Sequence, residues 1–388
     1  MSELSYLEKL LDGVEVEWKS LGDVVNFQRG RRLVKSQLET RGKYAVYQNS
    51  MTPLGYYHEY NVAAQSSFII CAGAAGEIGY SENEFWAADD VHFAITPEYI
   101  NDRFLFHFLL TQKNKISGQV RRASIPRLSK SVIEKLEFPI PCPDNPEKSL
   151  AIQSEIVRIL DKFTALTAEL TAELNMRKKQ YNYYRDQLLS FDEGEVEWKT
   201  LGEIAAYSKS RISFDKLDKN NYVGVDNLLQ NRAGKMQSNY VPTSGNLTEF
   251  REGDILIGNI RPYLKKIWQA DSTGGTNGDV LVIRSCHKSI LPRYLYQILA
   301  DDNFFEYNMQ HAKGAKMPRG NKDAIMKYRV PIPSFDEQTR IVTILDKFDT
   351  LTNSISEGLP REIELRQKQY GHYRDLLFSF PKPEAASN

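Results

Sequence analysis

Residues 156–163 read IVRILDKF, and residues 341–348 read IVTILDKF. Three further segments recur in the same order: EVEWKSLGDV at 15–24 and EVEWKTLGEI at 195–204, IPRLSKSVIEKLEFPIP at 125–141 and MPRGNKDAIMKYRVPIP at 317–333, and KQYNYYRD at 179–186 and KQYGHYRD at 368–375. Self-similarity over such distances indicates a repeated structural unit. Residues 25–118 and 205–310 share little beyond their pattern. The sequence therefore predicts one repeated frame that carries two different inserts.

Two frame segments predict long helices, because their apolar residues recur at steps of three and four. The seam consists of Ile156, Phe163, Leu166, Leu170, Leu174, Tyr181 and Tyr184 in the first copy, and of Ile341, Phe348, Leu351, Ile355, Tyr370 and Tyr373 in the second. The first seam contains a tandem TAEL-TAEL at 167–174, a four-residue stutter that unwinds a supercoil without breaking the helix. Pro360 predicts either a kink or the start of a new helix in the second copy.

The inserts predict mixed α/β domains. The runs SSFIICA, DVHFAI, DILIGN and DVLVIR have strand character, and residues 99–110 and 292–299 have helical character. The expected fold class is α/β (α+β): two globular recognition domains, separated by two long helices that pair as an antiparallel coiled coil, with an internal two-fold pseudo-repeat. Residues 7–18 resemble residues 188–198, so the chain starts where a repeat is already ending. This circular arrangement predicts that the two termini meet.

The predicted division of the chain follows the repeats. It consists of an N-terminal frame segment 1–24, a first recognition domain 25–147, a helical spacer 148–192 with the TAEL tandem, a second recognition domain 193–335 that includes the frame segment 195–204, a second helical spacer 336–380, and a tail 381–388.

Composition excludes several classes of protein. The 388 residues carry 50 basic and 50 acidic side chains, which excludes a polybasic protein but leaves room for a local basic surface. Three distant cysteines exclude a disulfide scaffold or a cysteine-rich zinc module and fit a reducing compartment. The first eleven residues lack the pattern of a signal peptide, and no apolar run is long enough to span a membrane. A cytoplasmic protein without a membrane partner is expected.

No catalytic motif is present in the sequence. It contains no Walker loop and no G-x-S-x-G, and its six histidines show no metal spacing, so neither catalytic residues nor metal ligands are expected. The glycines of 73–79 follow a strand-like run without a helix behind them, which favours a hairpin turn over a cofactor loop. Residues 143–148 imitate a nuclease motif inside a proline-rich linker, and the resemblance is too loose to assign chemistry.

The positive signal is a pair of basic clusters at equivalent places in the two copies. Residues 118–135 carry five basic residues and one acid, and residues 311–329 carry six and one. Arginine and lysine neutralise phosphates, and arginine also reads guanine in the major groove. The segment 258–266 is expected to form a hairpin with alternate residues on one face, and 47–50 offers amides that suit adenine or a plain polar turn. The candidate DNA-binding residues are Gln48, Asn49, Arg121, Arg122, Arg127, Lys130, Asn259, Arg261, Tyr263, Lys265, Lys313, Lys316, Arg319 and Lys322.

The repeated frame, with E-V-E-W-K-x-L-G, the P-I-P exit, the I-V-R-I-L-D-K-F helix start and K-Q-Y-x-x-Y-R-D, resembles the specificity subunits of type I restriction–modification enzymes. The resemblance covers nearly the whole chain, and the TAEL tandem resembles the type IC branch. It implies a non-catalytic subunit in which each of two domains reads one half of a split, asymmetric site in double-stranded DNA. It also implies that the helices hold the domains apart and dock two methyltransferase subunits, to which restriction subunits are added. S-adenosylmethionine, ATP and Mg²⁺ are then expected in the partners and not in this chain.

Two other classes of function remain open from the residues alone. One is a DNA-binding enzyme with two degenerate nuclease-like domains, which a tight carboxylate or metal cluster in either insert would favour. The other is a scaffold protein with no role on DNA, against which the paired basic clusters argue.

Overall fold

The computed structural model describes residues 6–354 and 356–382. These residues divide into two compact units: residues 1–167 with 366–388 form unit 1, and residues 168–365 form unit 2. Ile355 of the predicted seam, the first five residues and the part of the tail from 383 onward lie outside the described residues. Unit 1 combines its insert with frame segments from two separate stretches of the chain, whereas unit 2 is one continuous stretch.

Unit 1 has mixed α/β structure with three sheets, ordered β1-β9, β2-β8-β5-β6 and β4-β3-β7. Its elements are α1 (Tyr6–Leu11), β1 (Val16–Ser20), α2 (Leu21–Val24), β2 (Asn26–Arg29), β3 (Tyr44–Tyr47), β4 (Gly55–Tyr57), β5 (Ser66–Ile70), β6 (Ile78–Ser81), β7 (Phe85–Ala87), β8 (Val91–Ile95), α3 (Asp102–Thr111), α4 (Lys113–Gly118), α5 (Lys130–Glu134), β9 (Glu137–Pro141) and the first part of α6 (Pro146–Leu189).

Unit 2 has three corresponding sheets, ordered β10-β19, β11-β18-β15-β16 and β12-β14-β17-β13. Its elements after α6 are β10 (Glu197–Thr200), α7 (Leu201–Ile204), β11 (Ala205–Tyr207), β12 (Arg211–Ser213), β13 (Tyr222–Val223), β14 (Asn246–Phe250), β15 (Ile255–Gly258), β16 (Ile267–Gln269), β17 (Gly274–Thr276), β18 (Val280–Ser285), α8 (Pro292–Leu299), α9 (Asp302–Gln310), α10 (Lys322–Ile325), β19 (Arg329–Ile332), α11 (Phe335–Asn353) and α12 (Gly358–Leu377), whose last residues belong to unit 1.

The predicted strands and helices of the inserts are confirmed. The four strand-like runs form β5, β8, β15 and β18, and the two helical runs form α3 and α8. The glycine-rich segment after β5 is a hairpin turn, because β5 pairs antiparallel with β6 on its far side. The mixed α/β class with a long helix between the two inserts is also confirmed.

The same hydrogen bonds attach each insert to its helix. In unit 1 the Oε1 atom of Gln153 accepts from the N–H of Asn101 at 2.8 Å, and in unit 2 the Oε1 atom of Gln338 accepts from the N–H of Leu291 at 2.8 Å. Both glutamines are buried, so their amides replace hydrogen bonds that water cannot supply there. The repeated frame therefore holds two unlike inserts through one shared contact.

An arginine–aspartate pair reinforces each attachment. The Nε atom of Arg103 donates to Asp161 at 3.0 Å in unit 1, and the Nε atom of Arg293 donates to Asp346 at 2.8 Å in unit 2. Ring stacking adds a helix–helix contact within each unit: Phe163 stacks on Tyr373 of α12 in unit 1, and Tyr181 stacks on Phe348 of α11 in unit 2.

Described residues close to the two ends of the chain meet in unit 1, as the circular arrangement predicts. Leu7 and Leu11 share one buried core with Leu377 and Phe378. The indole N–H of Trp18 donates to the carbonyl oxygen of Pro381 at 2.8 Å. The C-terminal residues thus complete the core of the unit that contains the N-terminus.

The second helix breaks before Pro360, which decides between the two predicted alternatives. α11 ends at Asn353, and a new helix, α12, begins at Gly358. Gly358 has a φ of 80°, and a Cβ atom there would lie 2.3 Å from the carbonyl oxygen of Thr350. Only glycine fits this close approach without strain.

Candidate nucleic-acid interface

Each unit projects one short basic loop whose ends are joined by main-chain hydrogen bonds. In unit 1 the loop comprises residues 121–127, and the N–H groups of Arg121 and Arg127 each donate to the other's carbonyl oxygen, at 2.9 and 3.1 Å. In unit 2 the loop comprises residues 313–319, and Lys313 and Arg319 make the same pair of bonds, both at 2.9 Å. We call residues 121–127 and 313–319 the basic loops.

Each basic loop packs its last residues against the turn that follows the central strand of the insert. In unit 1 the N–H of Gly73 donates to the carbonyl oxygen of Pro126 at 3.2 Å, and in unit 2 the N–H of Arg261 donates to that of Pro318 at 2.7 Å. The polar turn at 47–50 joins the first assembly, because the N–H of Ala74 donates to the carbonyl oxygen of Asn49 at 2.9 Å. The segments predicted to bind DNA are therefore brought together within each unit.

Most of the predicted cations on the two loops are exposed. Within residues 6–354 and 356–382, no carboxylate oxygen lies within 4 Å of the side-chain nitrogens of Arg121, Arg122, Arg127, Lys313 or Lys316. An apolar residue stands beside them at the same place in each loop, with Ile125 at 53% and Met317 at 49% exposure. Exposed cations beside an exposed aliphatic group suit a surface that binds phosphates and touches base edges.

Three of the predicted cations already have acidic partners, and one of them is Lys265, which pairs with Asp302 at 2.7 Å. Lys130 pairs with Glu134 one helical turn away at 2.8 Å, and Arg319 pairs with Asp279 at 2.7 Å. Arg261, Tyr263 and Lys322 are exposed, whereas Gln48 is half-buried.

The prediction that alternate residues of 258–266 lie on one face of a hairpin is wrong. β15 and β16 do form an antiparallel hairpin, but their connection contains a 3-10 turn at Pro262–Leu264, flanked by left-handed residues at Arg261 and Lys265. Side chains do not alternate through such a turn, so the spacing of two has no meaning there. Asn259 is buried with 6% exposure, and Lys265 donates to Asp302 at 2.7 Å instead of pointing freely outward.

The two loops rest on side chains of opposite character. In unit 1 Leu128, which directly follows the loop, belongs to the apolar core together with Cys71 and Ile116. The N–H of Leu128 donates to the carbonyl oxygen of Cys71. At the same place in unit 2 the N–H of Gly320 donates to the carbonyl oxygen of Asn259.

In unit 2 the support is polar. A Cβ atom on Gly320 would lie 2.5 Å from Oδ1 of Asn308 and 2.7 Å from Oδ1 of Asn259. Both oxygens are buried and have no hydrogen-bond partner in the part of the chain that the structure describes, and the same holds for the amide nitrogen of Asn308. Glycine therefore leaves the room that the two amides fill.

The seam residues predicted for subunit docking separate into two groups. Ile156, Tyr181 and Ile341 are buried in the cores of their own units, so they hold the inserts on the helices and are unavailable to a partner. The residues left half-buried or exposed are Phe163, Leu166, Leu170, Leu174, Tyr184, Phe348, Leu351, Tyr370 and Tyr373.

The buried titratable groups next to the interface do not form a catalytic centre. The thiol of Cys71 lies 2.7 Å from Nδ1 of His92, but burial raises the pKa of Cys71 to about 12, so the thiol stays protonated. Burial also lowers the pKa of His92. In the part of the chain that the structure describes, no three His, Cys, Asp or Glu side chains are grouped to hold a metal ion, and no helix is long and apolar enough to cross a membrane.

The comparisons with known proteins agree with this duplicated architecture. Residues 13–177 and 193–365 each match the family model of the type I restriction modification DNA specificity domain. The chain is 41% identical over 415 residues to the EcoR124I/EcoR124II specificity subunit of Escherichia coli, with full coverage of both chains. It is 34% identical over 419 residues to a putative type I specificity subunit of Haemophilus influenzae, covering 97% of this chain and 98% of that one.

A solved structure shows the same fold. The type I restriction–modification S subunit from M. genitalium aligns with a TM-score of 0.61 at 16% identity, covering 96% of this chain and 98% of that one. The duplicated α/β frame thus defines a class of two-domain specificity proteins. The chain belongs to the type I restriction–modification specificity subunits, which are non-catalytic parts of their complexes. Its 41% identity to the EcoR124I subunit over the whole length confirms the expected IC branch.

Sequence reasoning missed three features of the interface. Ile125 and Met317 stand at the same place in a visible repeat, I-P-R and M-P-R, and could have been found there. Asp279 could not, because forty residues separate it from Arg319 and no local pattern links them.

Proposed function

We propose that this chain selects the DNA site of a type I restriction–modification complex, and that each unit reads one half of a two-part, asymmetric site. The observation that carries the proposal is the pair of basic loops, held by the same main-chain bonds in two inserts that otherwise diverge. A shared frame delivers the loops to DNA, and different inserts give different base preferences.

The candidate residues divide by the contact that suits them. Arg121, Arg122, Lys313 and Lys316 are exposed and have no carboxylate partner among the described residues, so they suit phosphates, which position a protein without reading sequence. Arg261 and Arg319 suit base edges, because an arginine fork can bond two acceptors of one guanine. Gln48 and Asn49 in unit 1 carry the amides that pair with adenine.

The chain further docks two methyltransferase subunits, and through them restriction subunits, in the cytoplasm where these enzymes meet DNA. The half-buried leucines of the TAEL segment support this proposal, because an apolar stripe left open on a long helix favours a partner. S-adenosylmethionine, ATP and Mg²⁺ belong to those partners.

Mapping of methylated adenines across the genome, with and without this gene, tests the proposal. We expect one split motif, with two specified halves around an unspecified spacer, to appear only when the gene is present. A methylation pattern that does not depend on the gene contradicts the proposal.

The division of labour has a separate test. The purified chain alone is expected to transfer no methyl group, and sequence-specific methylation should appear when its modification partner is added. Methyl transfer by the partner-free chain contradicts the non-catalytic role.

A further inference from the structure

The guanidinium group of Arg319 is held in place although it is exposed. Its Nη1 atom donates to Oδ1 of Asp279 at 2.7 Å, and half of the side chain, 52%, remains accessible. A pair this exposed adds little to folding stability. Its effect is geometric: the carboxylate fixes one nitrogen of the planar fork and restricts the orientation of the others.

Both partners of this ion pair are themselves fixed by the main chain. The N–H of Asp279 donates to Oδ1 of Asn277 at 3.1 Å, and its carbonyl oxygen accepts from the N–H of Asn259 at 2.8 Å. Arg319 is bonded in both directions to Lys313. The carboxylate and the guanidinium are thus set on rigid backbone, which is what a precise polar contact requires.

Unit 1 has the same backbone without the ion pair. The carbonyl oxygen of Asp90 accepts from the N–H of Cys71 at 2.7 Å, which makes Asp90 the counterpart of Asp279. Arg127 occupies the place of Arg319 in the loop. No carboxylate oxygen among the described residues lies within 4 Å of the Arg127 guanidinium, so that group keeps its rotational freedom.

We infer that Asp279 is a positioning residue that orients the Arg319 fork toward a guanine in the half-site read by unit 2, whereas Arg127 contacts a phosphate in unit 1. This inference rests on the proposed function. Guanine is the base that presents two acceptors on its major-groove edge, and only a fork held at a fixed angle bonds both. A phosphate accepts a cation from many directions, so Arg127 requires no such support.

The experiment uses the full chain assembled with its modification subunit and a set of duplexes in which each base pair of the site is varied singly. The wild-type complex should prefer guanine at one position by about 5- to 150-fold, the range for one bidentate base contact. Arg319→Lys keeps the charge but loses the fork, and Asp279→Asn loses the carboxylate while keeping its shape. Both changes should abolish most of that preference and leave binding to unrelated DNA within about twofold.

Unit 1 offers matched controls. Asp90→Asn and Arg127→Lys should leave every base preference within about twofold of wild type, because a phosphate contact survives the exchange of one cation for another. Arg127→Ala should weaken binding to all duplexes alike and lower the salt dependence by about one phosphate contact.

The outcomes separate this inference from the proposed function. A wild-type complex with no base preference at any position contradicts the proposed function itself. If the wild type has its preference and Asp279→Asn retains it, or if Asp90→Asn removes a preference equally well, the positioning role is wrong.

Discussion

The two basic loops share a backbone and differ in the side chains next to it. In unit 1 the loop continues into Leu128, a member of the apolar core, and among the described residues no carboxylate oxygen lies within 4 Å of the Arg127 guanidinium. In unit 2 the loop lies on two asparagines, and Asp279 holds Arg319. The comparison indicates that the frame fixes where a loop is presented, while the insert decides what its arginine can recognise.

Removal of the contact by which α12 completes the core of unit 1 should give the largest difference in stability between the units. Phe378→Ala removes a buried ring that packs on Phe104 at 4.9 Å in unit 1, which should cost about 3–5 kcal/mol. Leu189, its counterpart in unit 2, is only half-buried, so Leu189→Ala should cost less than about 2 kcal/mol. Hydrogen exchange measured by mass spectrometry reports on each unit separately. Equal loss of protection in both units for Phe378→Ala contradicts the closure of the chain on unit 1.

A change of polarity at one buried residue of each unit should give the next largest difference in stability. Ile116 is fully buried, so Ile116→Asn places an unpaired amide in an apolar core and should cost about 3 kcal/mol of unit 1 stability. The complementary change, Asn308→Leu, removes an amide that has no hydrogen-bond partner among the described residues. It should alter the stability of unit 2 by less than about 1 kcal/mol. Chemical denaturation followed by hydrogen exchange measures both. Similar costs for the two changes would mean that the supports are equivalent after all.

A histidine makes the attachment of unit 1 sensitive to pH. The Nε2 atom of His107 lies 2.9 Å from Oδ1 of Asp161, and its Nδ1 atom lies 2.8 Å from the hydroxyl of Tyr370. Burial holds the pKa of His107 below its ordinary value, and the nearby charges of Arg103 and Arg374 lower it further, although the contact with Asp161 opposes the shift. Because the pKa of His107 is lower in the folded state, the free energy of unfolding keeps its full contribution from this group above about pH 6.5, the pKa of an unfolded histidine. It decreases as the pH falls below that value.

The counterpart of His107 in unit 2 is Gln297, whose amide donates to Asp346 at 2.6 Å and does not titrate. We therefore expect His107→Gln to remove acid sensitivity of up to about 1.4 kcal/mol per pH unit as the pH falls below about 6.5. The readout is the free energy of unfolding of the variant minus that of wild type across this range. Other groups of unit 1, such as Asp102, are common to both proteins and cancel. A difference that does not change with pH contradicts the assignment.

The TAEL segment should give the smallest effect, a shift of one base pair. Four helical residues add about 6 Å and rotate the following face by about 40°, close to the twist of one base-pair step. A third TAEL after Leu174 is expected to lengthen the preferred DNA spacer by one base pair and to leave both half-sites unchanged. Methylation of oligonucleotides whose spacers differ by single base pairs measures it. An active three-copy protein with the original spacer preference shows that the segment sets no distance.

The sequence predicts the regular elements of the inserts well, because a local pattern encodes each of them. Strand-like runs, helical seams and glycine turns depend on neighbours a few residues apart, and β5, β15 and α8 lie where those patterns place them. The turn around Arg261 was mispredicted, because left-handed residues at 261 and 265 replace the alternation of a strand.

The chemistry of the interface depends on contacts that no local pattern encodes. Asp279 and Arg319 meet across forty residues. The burial of Asn259 depends on a glycine at 320, which only the folded chain brings beside it. Such partners become visible only in three dimensions.

Substitution of an arginine in unit 2 distinguishes a chain in which each unit reads its own half-site from one in which both units read the whole site. Cells that carry Arg261→Ala or Arg319→Ala in place of the wild-type chain can be compared by mapping methylated adenines across their genomes. We predict that either change relaxes one half of the split motif, by about 1–3 kcal/mol of discrimination at one or two positions, and leaves the other half as in wild type. Equal relaxation of both halves would contradict the assignment of one half-site to each unit.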